Sequence, residues 1–221
     1  MKQNLTPTRS HLYEHVARIG KALSSPKRLE LIELLAQGEL TVDVLAQRSG
    51  MDIRLTSAHL RALREARLVE TRRDGKFIHY RLSGQDVAEL WMNLRETAEE
   101  HLVELRVALE QMAMEPDALS SENRESLLEK ARNGDIVVID VRPGDEFDSG
   151  HLPHARSIPL GELEQRIADL PAGKKIVAYC RGPFCLMSDE AVRLLRARGF
   201  TAHKIKDGVA EWLKRGMPVE R

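Results

Sequence analysis

Apolar positions recur at three- and four-residue intervals through much of the first half of the chain, over residues 9 to 24 and 26 to 37, and predict two helices there. The stretch "SSPKRLELIELLAQG" gives the second helix a start and a stop, with Ser25 as cap, Pro26 at the first helical position and Gly38 at the end. "TVDVLAQRSG" reads as a short helix opened by Thr41 and closed by Gly50, and "DIRLTSAHLRALREARLV" as another, entered from Asp52. Then the period changes. "LVETRRDGKFIHYRLS" reads as two strands flanking Asp74-Gly75, a strong hairpin signal. From Gln85 to about Met114 the pattern is helical again, and longer than a small domain needs for itself.

"EPDALSSENRE" interrupts the periodicity with Pro, Asp and Ser, which sets expected bounds of 1–114 for a first domain, 115–121 for a linker and 122–221 for a second domain. Two domains of about 100 residues each suit a chain of 221. After the boundary come a helix, "RESLLEKARNG", and a buried-strand run, "DIVVIDV". A loop rich in Gly, Pro and His leads to the helix "GELEQRIADL" and a strand, "KKIVAYC". Beyond a loop containing both cysteines lie the helix "SDEAVRLLRARG", the strand "FTAHKIK" and "DGVAEWLKRG". Strands and helices alternating at this length predict a parallel α/β sheet. The fold class is therefore two domains, the first mainly α and the second α/β.

Net charge is zero, which argues against indiscriminate nucleic-acid binding, but the charges are segregated. Arg54, Arg61, Arg64, Arg67, Arg72, Arg73, Lys76 and Arg81 crowd one stretch against only Glu65, Glu70 and Asp74, and the following segment, "DVAELWMNLRETAEEHLVELRVALE", is acidic. Two short helices, a tight turn and a basic hairpin make a winged helix-turn-helix. On a helical wheel Arg54, Ser57, Arg61 and Arg64 share one face, while Leu55, Leu60 and Leu63 lie on another that packs against "LELIELL". Such a helix enters the major groove with its back on a core. Arg72, Arg73 and Lys76 on the hairpin are placed to meet phosphate or the minor groove.

From "PKRLELIELLAQGEL" through "SAHLRALREARLVETRRDGKFIHYRL" the sequence resembles the ArsR-type winged-helix repressors. The resemblance implies a homodimer formed by the first and last helices of the domain and double-stranded operator DNA as partner. It also implies that Thr56, Ser57 and Ala58 face bases, although Ala58 stands where a polar side chain is common in the family. Family members often sense metals. The thiolate version would need cysteine in "GELTVDVLA", which has none, so the metal-site candidates are His11 with His15 and His101 with Glu104, each pair about one helical turn apart. Such histidines are also ordinary surface or packing residues.

No run reaches the roughly 18 consecutive apolar residues of a spanning helix, and "MKQNLTPTRSHLYEHV" has no apolar signal core, so a cytoplasmic protein without a membrane partner is expected. In a reducing compartment the pair Cys180 and Cys185 is reactive or metal-binding sooner than a structural staple. A strand-loop-helix turn points backbone N–H groups into its own concavity, and the helix N-terminus adds positive potential. Both stabilise a thiolate. Gly182 permits tight curvature, and Pro183 fixes one torsion and removes one donor. A Cys-x5-Arg phosphatase would need arginine where Leu186 stands.

The remaining pattern resembles a rhodanese, a sulfurtransferase domain, over about residues 119 to 221. "VVIDVRPGDEFDSGHLPHARSIPLGEL" carries the Asp-Val-Arg and Gly-His-x-Pro-x-Ala signatures, "IVAYCRGPFCLMSDEAV" the active-site strand, loop and helix, and "KDGVAEW" the closing segment with Val209 replacing a glycine. The resemblance implies that Cys180 takes sulfane sulfur from a donor such as thiosulfate or a persulfide and passes it on, inside a loop of Gly182, Pro183, Phe184, Leu186, Met187 and Ser188. Asp140 and Arg142 then brace the site, and Arg181, the loop's one cation, holds an anionic donor. His151 and His154 are read as structural. Cys185 is either a resolving thiol that attacks a Cys180 persulfide or a small packed residue. No cofactor is implied.

Together the halves predict a dimeric regulator whose second domain links sulfur status to operator binding. Two alternatives use the same residues: a sulfurtransferase whose winged helix localises or dimerises it, and a zinc-responsive repressor with a degenerate second domain.

Overall fold

The computed structural model describes residues 9–112 and 123–221; the expected linker at 115–121 lies outside them, as do positions 113, 114 and 122. The chain divides into two compact units, Met1–Trp91 and Met92–Arg221.

In the first unit α1 (Arg9–Leu23) and α2 (Pro26–Leu35) precede a short strand, β1 (Leu40–Thr41), and the pair α3 (Val42–Ser49) and α4 (Ile53–Glu65). Pro26 opens α2 as expected, but the Ser25 side chain makes no capping bond; its carbonyl accepts from the Arg28 and Leu29 N–H groups. Thr41 and Asp52 cap α3 and α4 through their side-chain oxygens, and Gly50 closes α3 in the left-handed conformation. Strands β2 (Val69–Asp74) and β3 (Phe77–Leu82) form the hairpin, and β1 adds to β3 in an antiparallel sheet of order β1-β3-β2. Asp74 pairs with Phe77, so the two turn residues are Gly75 and Lys76, one position later than the sequence suggests. Gly75 has a φ of 57°, the positive value such a turn requires.

The long helical stretch is two helices, α5 (Gln85–His101) and α6 (Val103–Met112). At the junction Leu105 N–H turns back to the Leu102 carbonyl in a three-residue step, which starts a new helix. Residues Gln85–Trp91 of α5 fall in the first unit and Met92–His101 in the second.

The second unit continues with α7 (Arg124–Asn133), β4 (Ile136–Asp140), α8 (Gly144–Ser149), β5 (Arg156–Ser157), α9 (Leu163–Arg166), β6 (Lys175–Tyr179), α10 (Met187–Ala197), β7 (Ala202–Lys204) and α11 (Val209–Lys214). Its four strands are parallel in the order β5-β4-β6-β7. Side chains alternate across the sheet. Val137, Ile139, Ala178 and Cys180 join the α10 residues Ala191, Val192 and Leu195 on one face. Val138, Val177 and Tyr179 pack with Leu127 of α7 and Trp212 of α11 on the other. Two expectations change here. Part of the Gly/Pro/His loop is the helix α8, whose first turn returns to the Pro143 carbonyl. "GELEQRIADL" holds only four α-helical residues between two 3-10 turns, in a segment bounded by Pro159 and Pro171, which limit helix extension at both ends.

Candidate functional site

The order β5-β4-β6-β7 reverses direction beside β4, and the crevice at the carboxyl ends of strands at such a point is where open α/β sheets place their chemistry. Cys180 directly follows β6 there, and Asp140 ends its neighbour β4. Cys180 is only 2% exposed. Its Sγ lies 3.2 Å from the Cys185 carbonyl oxygen, the acceptor for the protonated thiol, and 3.3 Å from Ser188 Oγ. Burial alone would push this thiol up. The Cys185 thiol, the Ser188 hydroxyl and the N–H groups of Ser188 and Gly182 outweigh that effect and bring it down to about 7. Cys185 moves the opposite way: its hydrogen bond to the Cys180 sulfur, its burial and the neighbouring negative charge all keep its proton on. Both cysteines are free thiols.

Asp140 and Arg142 are wholly buried and bound to each other, with Arg142 Nη2 at 2.6 Å and Nε at 3.0 Å from the carboxylate. Arg142 also donates from its backbone N–H to Asp140 and from Nη2 to the Gly150 carbonyl. Tyr179, which the sequence reading passed over, donates its hydroxyl to Asp140 at 2.6 Å and accepts from Leu152 N–H. Burial, then the Asp140 charge, push that phenol well above its ordinary range. Asp140 and Arg142 thus brace the strand ends from inside; neither surface is open to a substrate.

Arg181, expected to hold an anionic donor, gives Nε and Nη2 to the buried Glu146 of α8 at 2.7 to 3.1 Å. Glu146 was missed because the sequence reading made its segment a loop. On the other side of the loop, Gly182 has a φ of 136°, and a Cβ there would stand 3.0 Å from both carboxylate oxygens of Glu211. A Cβ on Gly208 would run into the Arg181 carbonyl and lie 2.8 Å from that of Cys180. Glu211 reaches back to Gly208 N–H at 2.8 Å, a pairing whose only signal in the sequence is Glu three residues after a glycine cap. Pro183, Phe184 and Leu186 form one wall of a cleft of about 230 Å³, with Leu105, Leu109 and Met112 of α6 opposite and Lys204 at its edge. Met187 and Ser188 belong to the first turn of α10. His151 stacks on Phe147 and exchanges backbone hydrogen bonds with Glu220, a structural arrangement.

In the first unit Arg54, Ala58, Arg61 and Arg64 are exposed on α4, and Ser57 is half-buried. Thr56 must be removed from that face. It is 0% exposed, its hydroxyl donates to the Asp52 carbonyl, and it packs inward with Leu60 and Leu63 at helical spacing. Leu55, expected inside, is 44% exposed. On the hairpin Arg72 is engaged by Glu39 at 2.7 Å and by Asp74, Arg73 Nε donates to the Gly75 carbonyl, and Lys76 lies over the Phe77 ring. Phe77 and Ile78, unmarked by the sequence reading, are exposed on β3. His11 bonds Glu14 and packs edge-on against His15. Among the described residues no three His, Cys, Asp or Glu side chains, including His101 and Glu104, are placed to hold a metal ion. No helix of the described residues is long and apolar enough to cross a membrane.

Residues 25–71 match the family "Bacterial regulatory protein, arsR family", and residues 123–215 match "Rhodanese-like domain". The chain is 42% identical over 210 residues to an HTH-type transcriptional regulator of Mycobacterium tuberculosis, covering 95% of this chain and 92% of that protein. A sulfurtransferase of Allochromatium vinosum is 27% identical over 97 residues, 43% of this chain and 89% of its own. Among solved structures, the homodimeric winged helix-turn-helix domain of a possible ArsR-family regulator from Mycobacterium bovis is 45% identical, covers 42% of this chain and 86% of its own, and has a TM-score of 0.41.

Proposed function

Because the chain belongs to the ArsR family of transcriptional regulators and carries a rhodanese-like domain, we propose that it couples sulfane sulfur held on Cys180 to the binding of operator DNA. The observation that carries this reading is the ring of donors around the Cys180 sulfur, which brings the thiol to about 7 despite near-complete burial. At neutral pH a large fraction is thiolate. That thiolate attacks the outer sulfur of thiosulfate; the new S–S bond forms as the old one breaks, and sulfite leaves with the electron pair. The same N–H groups then hold the terminal sulfur of the persulfide. An acceptor thiolate takes that sulfur and returns Cys180 as thiolate. Cys185, held protonated, serves as a hydrogen-bond donor to this anion rather than as the attacking thiol.

For DNA, Arg54, Arg61 and Arg64 supply an exposed basic edge on α4 whose other side is anchored by Leu60 and Leu63. The protein acts as a homodimer. Leu12, Tyr13 and Val16 on α1, and Leu90, Leu94, Val103 and Val107 on α5 and α6, are exposed apolar residues that a second copy would cover. Sulfur loading changes operator affinity only if the persulfide has different free energy in the bound and free forms.

A gel shift on the gene's own upstream duplex, comparing reduced and persulfidated protein, tests the coupling. The expected result is a change in affinity of about fivefold or more, the lower range of allosteric coupling. Equal affinities would overturn it and leave the second reading, a sulfurtransferase first, which the Allochromatium vinosum match favours. Steady turnover of thiosulfate with cyanide, with no effect on DNA, is the result that reading requires. Arg61→Ala should weaken binding at all sequences and reduce the slope of log affinity against log salt by about 1, as loss of one phosphate contact does. An unchanged slope would take Arg61 off the phosphate backbone.

A further inference from the structure

The part of α5 in the second unit sends one side chain into the protein interior beneath the cysteine loop. Arg95 is 3% exposed and donates from Nη2 to Glu211 Oε1 at 2.8 Å; Glu211 is itself 2% exposed. The second oxygen of that carboxylate accepts from Gly208 N–H, and both oxygens occupy the space a Cβ on Gly182 would enter, 3.0 Å from where it would stand. Gly182 thus has two neighbours of consequence. Its N–H serves the Cys180 sulfur, and the Glu211 carboxylate stands where its side chain would be. The Arg95 guanidinium also sits 5.6 Å from the centre of the Phe184 ring in the same loop.

A buried carboxylate this near a thiolate disfavours the thiolate unless a cation offsets it. The other charged groups around the loop are already matched: Arg181 with Glu146, Lys204 with Asp189, Arg142 with Asp140. Glu99 on α5 lies 3.5 Å from Arg95 Nε and also takes Lys206, and Cys185 is the second titrating group. Only Arg95 stands within hydrogen-bonding distance of Glu211 as its ionic partner among the described residues.

We propose that Arg95 and Glu211 are positioning residues for Cys180: the pair fixes Gly182 so that its N–H faces the sulfur, and Arg95 cancels the carboxylate charge behind it. The inference rests on the reading of Cys180 as the sulfur-carrying residue, but its test needs neither a sulfur donor nor DNA. In the full-length protein, iodoacetamide labelling of the Cys180 peptide is followed by mass spectrometry across pH. Labelling of the wild type rises with increasing pH through a midpoint near 7. Arg95→Met leaves Glu211 uncompensated and raises the midpoint by about one unit, so that labelling at pH 6 falls roughly tenfold. Glu211→Gln removes the carboxylate nearest Gly182, leaves Arg95 with Glu99 alone and lowers the midpoint, while the double variant returns close to the wild type. A purely structural role would move both single variants the same way. Shifts in the same direction, or no shift in either, overturn the proposal. Should Arg95→Met fail to fold, Glu211→Gln decides alone: a lower midpoint supports the pair, and an unmoved or raised one removes it. Loss of persulfide formation or of a sulfur effect on DNA, with these opposite shifts intact, would count against the proposed function and not against the pair.

Discussion

Cys180→Ser is expected to abolish sulfur uptake and any thiosulfate turnover, with a loss of at least about a thousandfold, because a serine hydroxyl does not ionise near neutral pH in this setting. The substitution is nearly isosteric, and the side chain stays beside Ser188 and the Cys185 carbonyl, so the fold should remain. Intact-mass measurement after exposure to thiosulfate or polysulfide reads the result directly: the wild type gains one sulfur atom and the variant gains none. Sulfur retained by the variant would have to sit on Cys185. That outcome would move the chemistry five residues along the chain and contradict the assignment of Cys185 as a protonated donor.

Asp140→Ala is expected to produce the largest loss of stability. It takes from the fully buried Arg142 the carboxylate it is bonded to, and it strips Tyr179 of its acceptor. Breaking a buried pair from one side costs about 3–5 kcal/mol, since the remaining charge stays buried without its bidentate partner. For a unit of this size that is a fall of roughly 10–20 °C in thermal midpoint. Asp140→Asn, which keeps an acceptor for Tyr179, should fall less. Calorimetry of the three proteins checks the order. If alanine and asparagine behave alike and cost little, the pair contributes nothing to the second unit, and the strand ends are held by the sheet alone.

The parts of this molecule with a local hydrophobic signature were legible in its sequence. The continuous apolar runs in "DIVVIDV" and "KKIVAYC" placed β4 and β6, and with them Asp140 and Cys180 at adjacent strand ends. Three- and four-residue spacing placed the helices of the first unit and the basic edge of α4. Spacing misjudged Leu55 and the family resemblance misjudged Thr56, neighbours only about 100° apart on a helical wheel, because their sorting depends on where the rest of the core lies. Glu146 and Glu211 were invisible for a different reason. Their partners Arg181 and Arg95 lie 35 and 116 positions away, and no local pattern reports a pairing made by folding. Tyr179 was hidden in plain view: next to Cys180 in the chain, it points to the opposite face of the sheet.

Helix α5 gives residues to both compact units, and this bears on how the protein is cut into pieces. A fragment trimmed near residue 119, where the sulfurtransferase likeness begins, discards Arg95 and strands Glu211 in the interior. If Arg95 positions Cys180 as proposed, such a fragment carries an altered nucleophile, and a weak result would be blamed on the family when the scissors were at fault. A faithful excision starts upstream of Met92, which means carrying part of the DNA-binding half along. Gene fusions that swap one half for another meet the same constraint: the seam has to fall before the helix, not after it.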